Sequence, residues 1–230
     1  MLRVRNLSVG YGAEPVLEGI DLEVKTGEFA SLIGPSGSGK TSVLRAVTHL
    51  LTPISGHVDL DVPPNDVGFL FQDDALLPWR TARQNVALGL RIRGSAVRDA
   101  EQMAEHWLAR LGLEAFGDRY PRQLSGGQRK RVAIAQVLAL KPKLLLMDEP
   151  FASLDAIVRT RITQELLGWV EQEHMTVLLV THDLEEAISV SDVVYVLSQG
   201  PRAGIRARHE IPIARPRNVL ETRRDACFAT

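Results

Sequence analysis

The chain has 230 residues, of which 45% are hydrophobic and 24% are charged, and its formal net charge is −1. This composition is typical of a globular protein with one large domain or two small ones. The near-neutral charge gives no electrostatic reason to expect nucleic acid or an acidic membrane surface as a partner. Cys227 is the single cysteine, which excludes a disulfide bond within the chain. No signal-peptide pattern is present and no apolar run reaches the roughly 20 residues of a membrane span, so we expect a soluble chain.

The first elements favour an α/β fold. Residues 2–24 alternate between apolar and polar side chains and predict an antiparallel sheet beside the core. Residues 28–34, EFASLIG, predict a strand that enters a glycine-rich loop. The helix after that loop is predicted to have one apolar face, formed by Val43, Leu44, Val47, Leu50 and Leu51.

The rest of the chain predicts a helical insert and two further buried strands. Residues 73–140 carry helical patterns without a convincing strand. The runs KLLLMDEP (143–150) and TVLLVTHD (176–183) are continuously apolar, as in strands that are covered on both faces. After Gly200 the pattern weakens, and we expect an arginine-rich, solvated and partly ordered tail. We therefore predict a single domain with a core (about 1–72 and 141–200), a helical subdomain (about 73–140) and a tail (about 201–230).

The glycine-rich loop matches a phosphate-binding motif. Gly34–Thr41, GPSGSGKT, fits G-x-x-x-x-G-K-[ST] between a predicted strand and a predicted helix. The glycines let successive backbone N–H groups turn toward phosphate oxygens, and the helix N-terminus adds a partial positive charge. Lys40 supplies an ammonium for the β- and γ-phosphates, and Thr41 supplies a hydroxyl for Mg²⁺. The alternative is a turn that matches by chance. We predict a P-loop NTPase core that binds nucleotide through Gly34, Pro35, Ser36, Gly37, Ser38, Gly39, Lys40, Thr41 and Ser42.

Three further polar side chains follow the predicted core strands. Asp148 ends the strand LLLMD and is placed to hold Mg²⁺, while Glu149 is placed to orient or deprotonate an attacking water. His182 follows the strand TVLLVT, from where it is placed to contact the γ-phosphate. A strand-end cap and an ordinary surface histidine are the alternatives. Because parallel strands bind ligands at their carboxyl ends, we expect these residues to meet the P-loop.

A second glycine-rich segment, LSGGQ at Leu124–Gln128, leads directly into another predicted helix. Ser125 is a predicted N-cap, and the backbone amides behind it are free for an anion. One nucleotide has one set of phosphates, which the P-loop already holds. This segment therefore indicates a second ligand, a second subunit or a simple helix cap.

Together these residues resemble the ATP-binding cassette (ABC) transporter ATPases over nearly the full chain. The matching elements stand in the family's order: Tyr11, the P-loop, Gln72, Leu124–Gln128, Asp148–Glu149, Ser153–Asp155 and His182. The resemblance implies a flanking antiparallel β subdomain and a helical insert that carries LSGGQ. It also implies a head-to-tail dimer with two ATP molecules at the interface, each held between one P-loop and the partner's LSGGQ.

The resemblance assigns roles residue by residue. Tyr11 stacks on adenine, unless it is a buried tyrosine in a turn. Asp155 connects the two sites across the interface. The implied catalytic residues are Glu149, His182, Gln72 and Lys40, and the implied Mg²⁺ ligands are Thr41, Gln72 and Asp148. The γ-phosphate is contacted in trans by Ser125, Gly126 and Gly127, and Gln128 is implied as a further nucleotide-binding residue.

A single cassette without a membrane span resembles a separate subunit of a prokaryotic importer. Residues 71–90, FQDDALLPWRTARQNVALGL, are similar to the branch that imports taurine, alkanesulfonates and nitrate, which also contains importers of thiamine pyrimidine precursors. The resemblance implies an integral membrane permease that docks near Gln72–Trp79, a solute-binding protein, and a peripheral location at the cytoplasmic face of the inner membrane. Packing of the insert on its own core is the alternative use of these apolar residues. The stretch HVDLDVPPNDVGFLFQ lacks the usual longer glycine-containing hairpin, a departure from that branch.

Several alternatives stay open at this stage. The partner cassette is an identical copy or a paralogue. A non-transport ABC ATPase of DNA repair or ribosomes is a competing class, although the chain has neither coiled-coil arms nor zinc modules, and we expect no nucleic acid. A non-hydrolysing regulatory module is another, although it would be expected to lack Glu149 or His182. The arginine-rich tail is a hypothetical contact for anionic lipid or the permease.

Overall fold

The computed structural model describes residues 1–11, 14–152, 154–215 and 217. Cys227, Ser153 and the arginines at 223 and 224 lie outside the described residues. The strands are β1 (Leu2–Gly10), β2 (Pro15–Val24), β3 (Phe29–Ile33), β4 (Ser55–Leu60), β5 (Val67–Leu70), β6 (Leu144–Asp148), β7 (Thr176–Thr181), β8 (Val193–Leu197) and β9 (Ile205–Glu210). The α-helices are α1 (Lys40–Val47), α2 (Ala82–Ile92), α3 (Val97–Arg110), α4 (Gly126–Leu138), α5 (Ala156–Gln172) and α6 (Leu184–Val190).

The larger sheet has six strands in the order β5-β6-β7-β3-β8-β9. Neighbouring strands within this sheet are parallel, except for β8 and β9, which are antiparallel. The strands β3, β6 and β7 are buried at every position, which confirms that their continuously apolar sequences belong to a sheet covered on both faces. Because β3, β6 and β7 are parallel neighbours, their carboxyl ends lie at one edge and bring the P-loop, Asp148 and His182 together.

The smaller sheet confirms the antiparallel prediction for the N-terminal segment. Its strand order is β2-β1-β4, and both pairs are antiparallel. Alternate side chains such as Val4 and Leu22 are buried in one cluster with Leu44 of α1 and Leu146 of β6. This sheet therefore covers one face of the core.

The residues between β5 and β6 contain helices α2, α3 and α4 and no strand. Thr81 begins α2 with a capping box, in which its side chain and that of Gln84 each accept from the other's backbone N–H. Trp107 of α3 is buried in the same apolar cluster as Leu145 and Met147 of β6. The helices thus pack on the opposite side of the sheet from β1 and β2.

The predicted apolar face of α1 was wrong at Leu50, whereas Leu51 packs against the same cluster as Val43, Leu44 and Val47. Val43, Leu44 and Val47 are buried, but the helix ends at Val47 and Leu50 is 66% exposed. His49 has a φ of 58°, in the left-handed region, so the chain turns out of the helix before Leu50. Helical periodicity therefore ceases to describe these side chains.

The expected arginine-rich, partly ordered tail contains an ordered strand and two partnered arginines among its described residues, 201–215 and 217. Strand β9 extends the larger sheet at its edge by pairing with β8. Arg217 is buried, and its guanidinium donates to Asp192 Oδ1 at 3.0 Å and to the backbone oxygen of Ile213 at 2.7 Å. Arg215 also pairs with Asp192. Because these two arginines pair with groups of the protein itself, they no longer support the hypothesis that the tail contacts anionic lipid.

Candidate functional site

The P-loop connects β3 to α1 and leaves the N-terminus of α1 without a side-chain cap. Gly37 and Gly39 have φ values of 80° and 92°, which favour glycine strongly. A Cβ atom at Gly39 would lie 2.7 Å from Leu17 Cγ and 2.9 Å from Val16 Cγ1. The loop is therefore packed tightly against β2, with its uncapped amides available to an anion.

Lys40 is only 5% exposed and lies inside this loop. Its ammonium donates to the backbone oxygens of Gly34 and Pro35 at 2.8 and 3.0 Å. Burial lowers the pKa of Lys40, while the nearby carboxylates of Glu149 and Asp148 act in the opposite direction. A partly desolvated cation held in this way is suited to a polyanionic ligand.

Thr41 and Asp148 meet at the edge between α1 and β6. The Thr41 hydroxyl donates to Asp148 Oδ1 at 3.0 Å, and Asp148 is 6% exposed. Burial raises the pKa of Asp148, and the hydrogen bond from Thr41 opposes that shift. A hydroxyl and a desolvated carboxylate are oxygen donors of the kind that Mg²⁺ prefers. Among the described residues no group of three or more His, Cys, Asp or Glu side chains forms a metal cluster.

Glu149 and His182 form a second pair at the same edge. Glu149 Oε2 lies 2.9 Å from His182 Nδ1. Glu149 has a φ of 41°, which is strained for a residue with a Cβ atom, and its backbone N–H donates to the Val180 oxygen at 2.8 Å. Strain of this kind concentrates at functional sites, where the surrounding structure holds it.

A cleft of about 520 Å³ brings nine of the predicted site residues together. Its lining comprises Tyr11, Val16, Ser36, Gly37, Gly39, Lys40, Thr41, Ser42, Gln72 and Glu149. Tyr11 is 59% exposed, which contradicts the alternative of a buried tyrosine. Arg45 Nη1 donates to the Tyr11 hydroxyl at 2.8 Å and so helps to place the ring at the mouth of the cleft.

The segment Leu124–Gln128 does not line this cleft. Ser125 Oγ accepts from the Gln128 N–H at 3.3 Å, and Gln128 Oε1 accepts from the Ser125 N–H at 2.9 Å, which completes a capping box at α4. Ser125, Gly127 and Gln128 instead line a separate cavity of about 360 Å³ beside α5. Asp155 caps α5 by accepting from the Val158 N–H at 3.0 Å.

Sequence reasoning missed several residues that shape the site. Arg45 lies on the predicted helix after the P-loop, and Val16 lies in the predicted N-terminal sheet. Only the fold shows that Arg45 contacts Tyr11 and that Val16 lines the cleft. Lys130 was also missed: it is fully buried and contacts the backbone of Gln72. Its placement within the apolar face of α4 was the available signal, because an unpartnered lysine is costly there.

The ABC transporter family model matches residues 17–152 of this chain. The chain belongs to the ABC transporter family. It is 41% identical to the sulfate/thiosulfate import ATP-binding protein CysA of Synechocystis sp. over 216 residues, which are 90% of this chain and 61% of that protein. It is also 41% identical to the taurine import ATP-binding protein TauB of Escherichia coli O157:H7 over 206 residues, covering 87% of this chain and 81% of that protein. The chain thus spans less than two thirds of the CysA relative.

A solved structure of the same family has the same fold. The dimeric, post-hydrolysis structure of the ATP-binding cassette MJ0796, bound to ADP and Pi, superimposes with a TM-score of 0.81 at 32% identity. The match covers 93% of this chain and 100% of the other. In the part of the chain that the structure describes, no helix combines the length and apolar character needed to cross a membrane.

Proposed function

We propose that the chain binds and hydrolyses ATP in the cleft formed by the P-loop, Tyr11 and Gln72. The observation that carries this proposal is the meeting of Thr41–Asp148 and Glu149–His182 at the carboxyl edge of one sheet. Tyr11 offers an aromatic face to the base, and the amides of the P-loop with Lys40 offer positive charge to the phosphates. Thr41, Asp148 and Gln72 would hold Mg²⁺, which when bound neutralises charge on the phosphate oxygens.

In the proposed reaction, the Glu149 carboxylate accepts a hydrogen bond and then a proton from an attacking water. The water oxygen forms a bond to the γ-phosphorus, and the bond to the bridging oxygen breaks to release ADP and phosphate. His182 holds Glu149 through Nδ1 and is itself 55% exposed in the side chain, so it can also reach the γ-phosphate. Lys40 and the P-loop amides stabilise the charge on the oxygens during transfer.

Two copies would complete the site. The capping box of Ser125 and Gln128 faces a different cavity from the P-loop, so this segment has no route to its own nucleotide in the described structure. A head-to-tail partner would place Ser125, Gly126 and Gly127 against the γ-phosphate in the first chain's cleft. The similarity to a dimeric cassette supports this arrangement. The partner is a second copy or a paralogous cassette.

The chain would use this hydrolysis to drive import through a separate membrane permease. Phe71 directly precedes Gln72 and Trp79 follows it in the same segment, and their side chains are 42% and 70% exposed. Leu76, between them, packs against the core. Exposed aromatic side chains beside a catalytic segment provide a docking surface for the permease, at the cytoplasmic face of the membrane. The names of the relatives support a small anionic or zwitterionic solute such as sulfate or taurine, and a pyrimidine precursor remains the alternative substrate.

The first experiment compares wild type with Glu149→Gln. We expect the variant to retain ATP affinity and to lose at least about 100-fold in kcat, because the base is removed while the P-loop is intact. Glu114→Gln is the matched control: its side chain is exposed in the helical region, and its kcat should equal that of wild type. Wild-type hydrolysis that persists in Glu149→Gln would contradict the assignment of the base, and no hydrolysis by wild type would favour the regulatory module.

The second experiment tests transport. Glu149→Gln with ATP is used to capture a polytopic membrane protein from solubilised membranes, and Trp79→Ala is expected to abolish that capture while leaving ATP binding unchanged. Capture of soluble partners or nucleic acid only, or capture that is insensitive to Trp79→Ala, would contradict the importer proposal.

A further inference from the structure

Lys130 is a buried lysine that the proposed reaction does not use. It lies on α4, five residues after Ser125, and has 0% exposure. Its ammonium lies 3.0 Å from the Gln72 oxygen, 3.4 Å from the Phe71 oxygen and 3.1 Å from Asp74 Oδ1. These three contacts match the three donors of an ammonium, so the buried charge is fully partnered. All of them belong to the segment that follows β5.

Asp74 connects Lys130 to the start of the LSGGQ segment. Its Oδ2 lies 3.4 Å from Arg129 Nε, and Arg129 Nη1 donates to the Leu124 oxygen at 2.8 Å. The contacts therefore run from Leu124 through Arg129 and Asp74 to Lys130, and from Lys130 to the backbone of Gln72. The LSGGQ end of α4 and the Gln72 segment are joined by charge-assisted contacts at both ends.

The C-terminal part of α4 packs closely against β5, which limits movement of α4 relative to the strand. A Cβ atom at Gly68 of β5 would lie 2.7 Å from Val137 Cγ1, so the helix and the strand are in close contact. Ala75, directly after Asp74, has a φ of 52°, in the left-handed region, so the backbone turns at this residue. Closely packed elements move together because there is no free volume to absorb a displacement. Gln72 lines the P-loop cleft at the other end of this connection.

We propose that Lys130, with Asp74 and Arg129, is a positioning residue that sets the place of Gln72 in the cleft according to the place of α4. This inference rests on the proposed function, in which the N-terminus of α4 meets the ATP held by the partner. A displacement of α4 at the partner's nucleotide is then transmitted to Gln72 in this chain's own cleft. Lys130 thereby couples the two ATP sites of the dimer through a contiguous set of contacts.

The test is a double-mutant cycle on the full-length chain. Lys130→Met keeps the length and burial of the side chain and removes its charge, and we expect kcat to fall about tenfold with little change in the KM for ATP. Gln72→Ala is measured alone and combined with Lys130→Met. If Lys130 acts through Gln72, the double variant is no slower than Gln72→Ala. Effects that multiply would overturn the inference, because Lys130 would then act by another route.

Two control variants distinguish the proposed positioning of Gln72 by Lys130 from a general effect of replacing a lysine. Lys130→Arg retains a buried cation that reaches the same oxygens, and it should recover most of the lost kcat. Lys143→Met removes a lysine whose ammonium lies 2.9 Å from Asp66 Oδ2 but whose side chain is 65% exposed, and it should leave kcat unchanged. If Lys130→Met does not fold, Asp74→Asn replaces it, because that change retains the two carbonyl contacts of Lys130 and removes the negative charge that pairs with both Lys130 and Arg129. The same fall in kcat is expected.

A measurement without hydrolysis distinguishes failure of this inference from failure of the proposed function. Trp79 is 70% exposed, whereas Trp107 and Trp169 are 2% and 9% exposed, so acrylamide quenching reports mainly on Trp79 beside the Gln72 segment. Adding ATP to Glu149→Gln should change this quenching, and Lys130→Met in the same background should abolish the change while ATP remains bound. Equal changes in both proteins, or no change in either, would contradict the inference even if wild type hydrolyses ATP. A wild type that does not hydrolyse ATP contradicts the proposed function and leaves the quenching result to decide on Lys130.

Discussion

The chain contains two glycine-rich helix N-termini, and their caps differ. At α1 the N-cap is Gly39, with no side-chain cap and a buried lysine at the next position. At α4 the N-cap is Ser125, and in its capping box the side chains of Ser125 and Gln128 each accept from the other residue's backbone N–H. The first site depends on a ligand to use its free amides and its ammonium. The second is capped by its own side chains and lines a different cavity from the first.

This difference shows how similar sequences serve different purposes. A helix N-terminus that is part of its own chain's ligand site gains from uncapped amides and from a charge whose burial costs energy without the ligand. A helix N-terminus that waits for another subunit must be stable before that subunit arrives. The capping box provides that stability while Gly126 and Gly127 keep the surface free of side chains.

The largest expected effect is a loss of kcat in Ser125→Ala, which would distinguish contact of Ser125 with the partner's ATP from its role as a helix cap. Ser125→Ala and Thr81→Ala each remove the Ser or Thr of a capping box, and each should lower the free energy of unfolding by about 1 kcal/mol. Only Ser125→Ala should reduce kcat, by about 100-fold, because only Ser125 is proposed to touch the transferred phosphate. Equal kcat values for the two variants, measured at saturating ATP, would leave Ser125 as a structural cap alone.

A second comparison places alanine at one glycine of each segment. Gly39→Ala should destabilise the protein by about 1–3 kcal/mol, because φ is 92° and the new Cβ meets Leu17 and Val16. Gly126→Ala meets nothing closer than Arg129 Nη2 at 3.8 Å, so the free energy of unfolding should not fall. Its kcat should nevertheless fall, because the added methyl group obstructs the partner's phosphate. Urea unfolding and ATPase rates measure both effects, and a fully active Gly126→Ala would argue against contact in trans.

The smallest expected effect is a pH dependence at Lys40. Because burial lowers the pKa of Lys40 in the folded chain below its ordinary value of 10.5, the unfolded chain binds more protons between the two values. The stability of wild type should therefore increase relative to Lys40→Met as pH rises toward 10.5. Thermal unfolding of both proteins without nucleotide, between about pH 7 and pH 10, measures the difference. A constant difference across that range would mean that burial does not disfavour the charged lysine.

The parts of the site that lie next to one another in sequence could be predicted. The P-loop, Asp148 and Glu149 were found because a glycine loop or an acidic pair directly follows an apolar strand. The placement of Glu149 and His182 at one edge followed from parallel strands, whereas the 2.9 Å contact between their side chains was seen only in the structure. The roles of Ser125 and Asp155 at a partner remain predictions, since a single chain shows only their caps.

Other features depended on residues that are distant in sequence. Leu50 continues the helical pattern of α1, yet the turn at His49 exposes it. Residues 205–210 have a weak strand pattern, yet β8 provides the hydrogen bonds that make them β9. Arg217 is buried because Asp192 and backbone oxygens surround it, which no local pattern indicates.

The sequence by itself determined the α/β class, the two glycine-rich segments and the P-loop residues of the cleft, because those features depend on neighbouring residues and on the period of apolar side chains. The tertiary structure alone decided that the two segments face different cavities, that Arg45 holds Tyr11, and that Lys130 joins α4 to Gln72. Each of these outcomes depends on how one element lies against another. That placement is set by packing and by the partnering of buried charge over the whole fold, which the order of residues does not display.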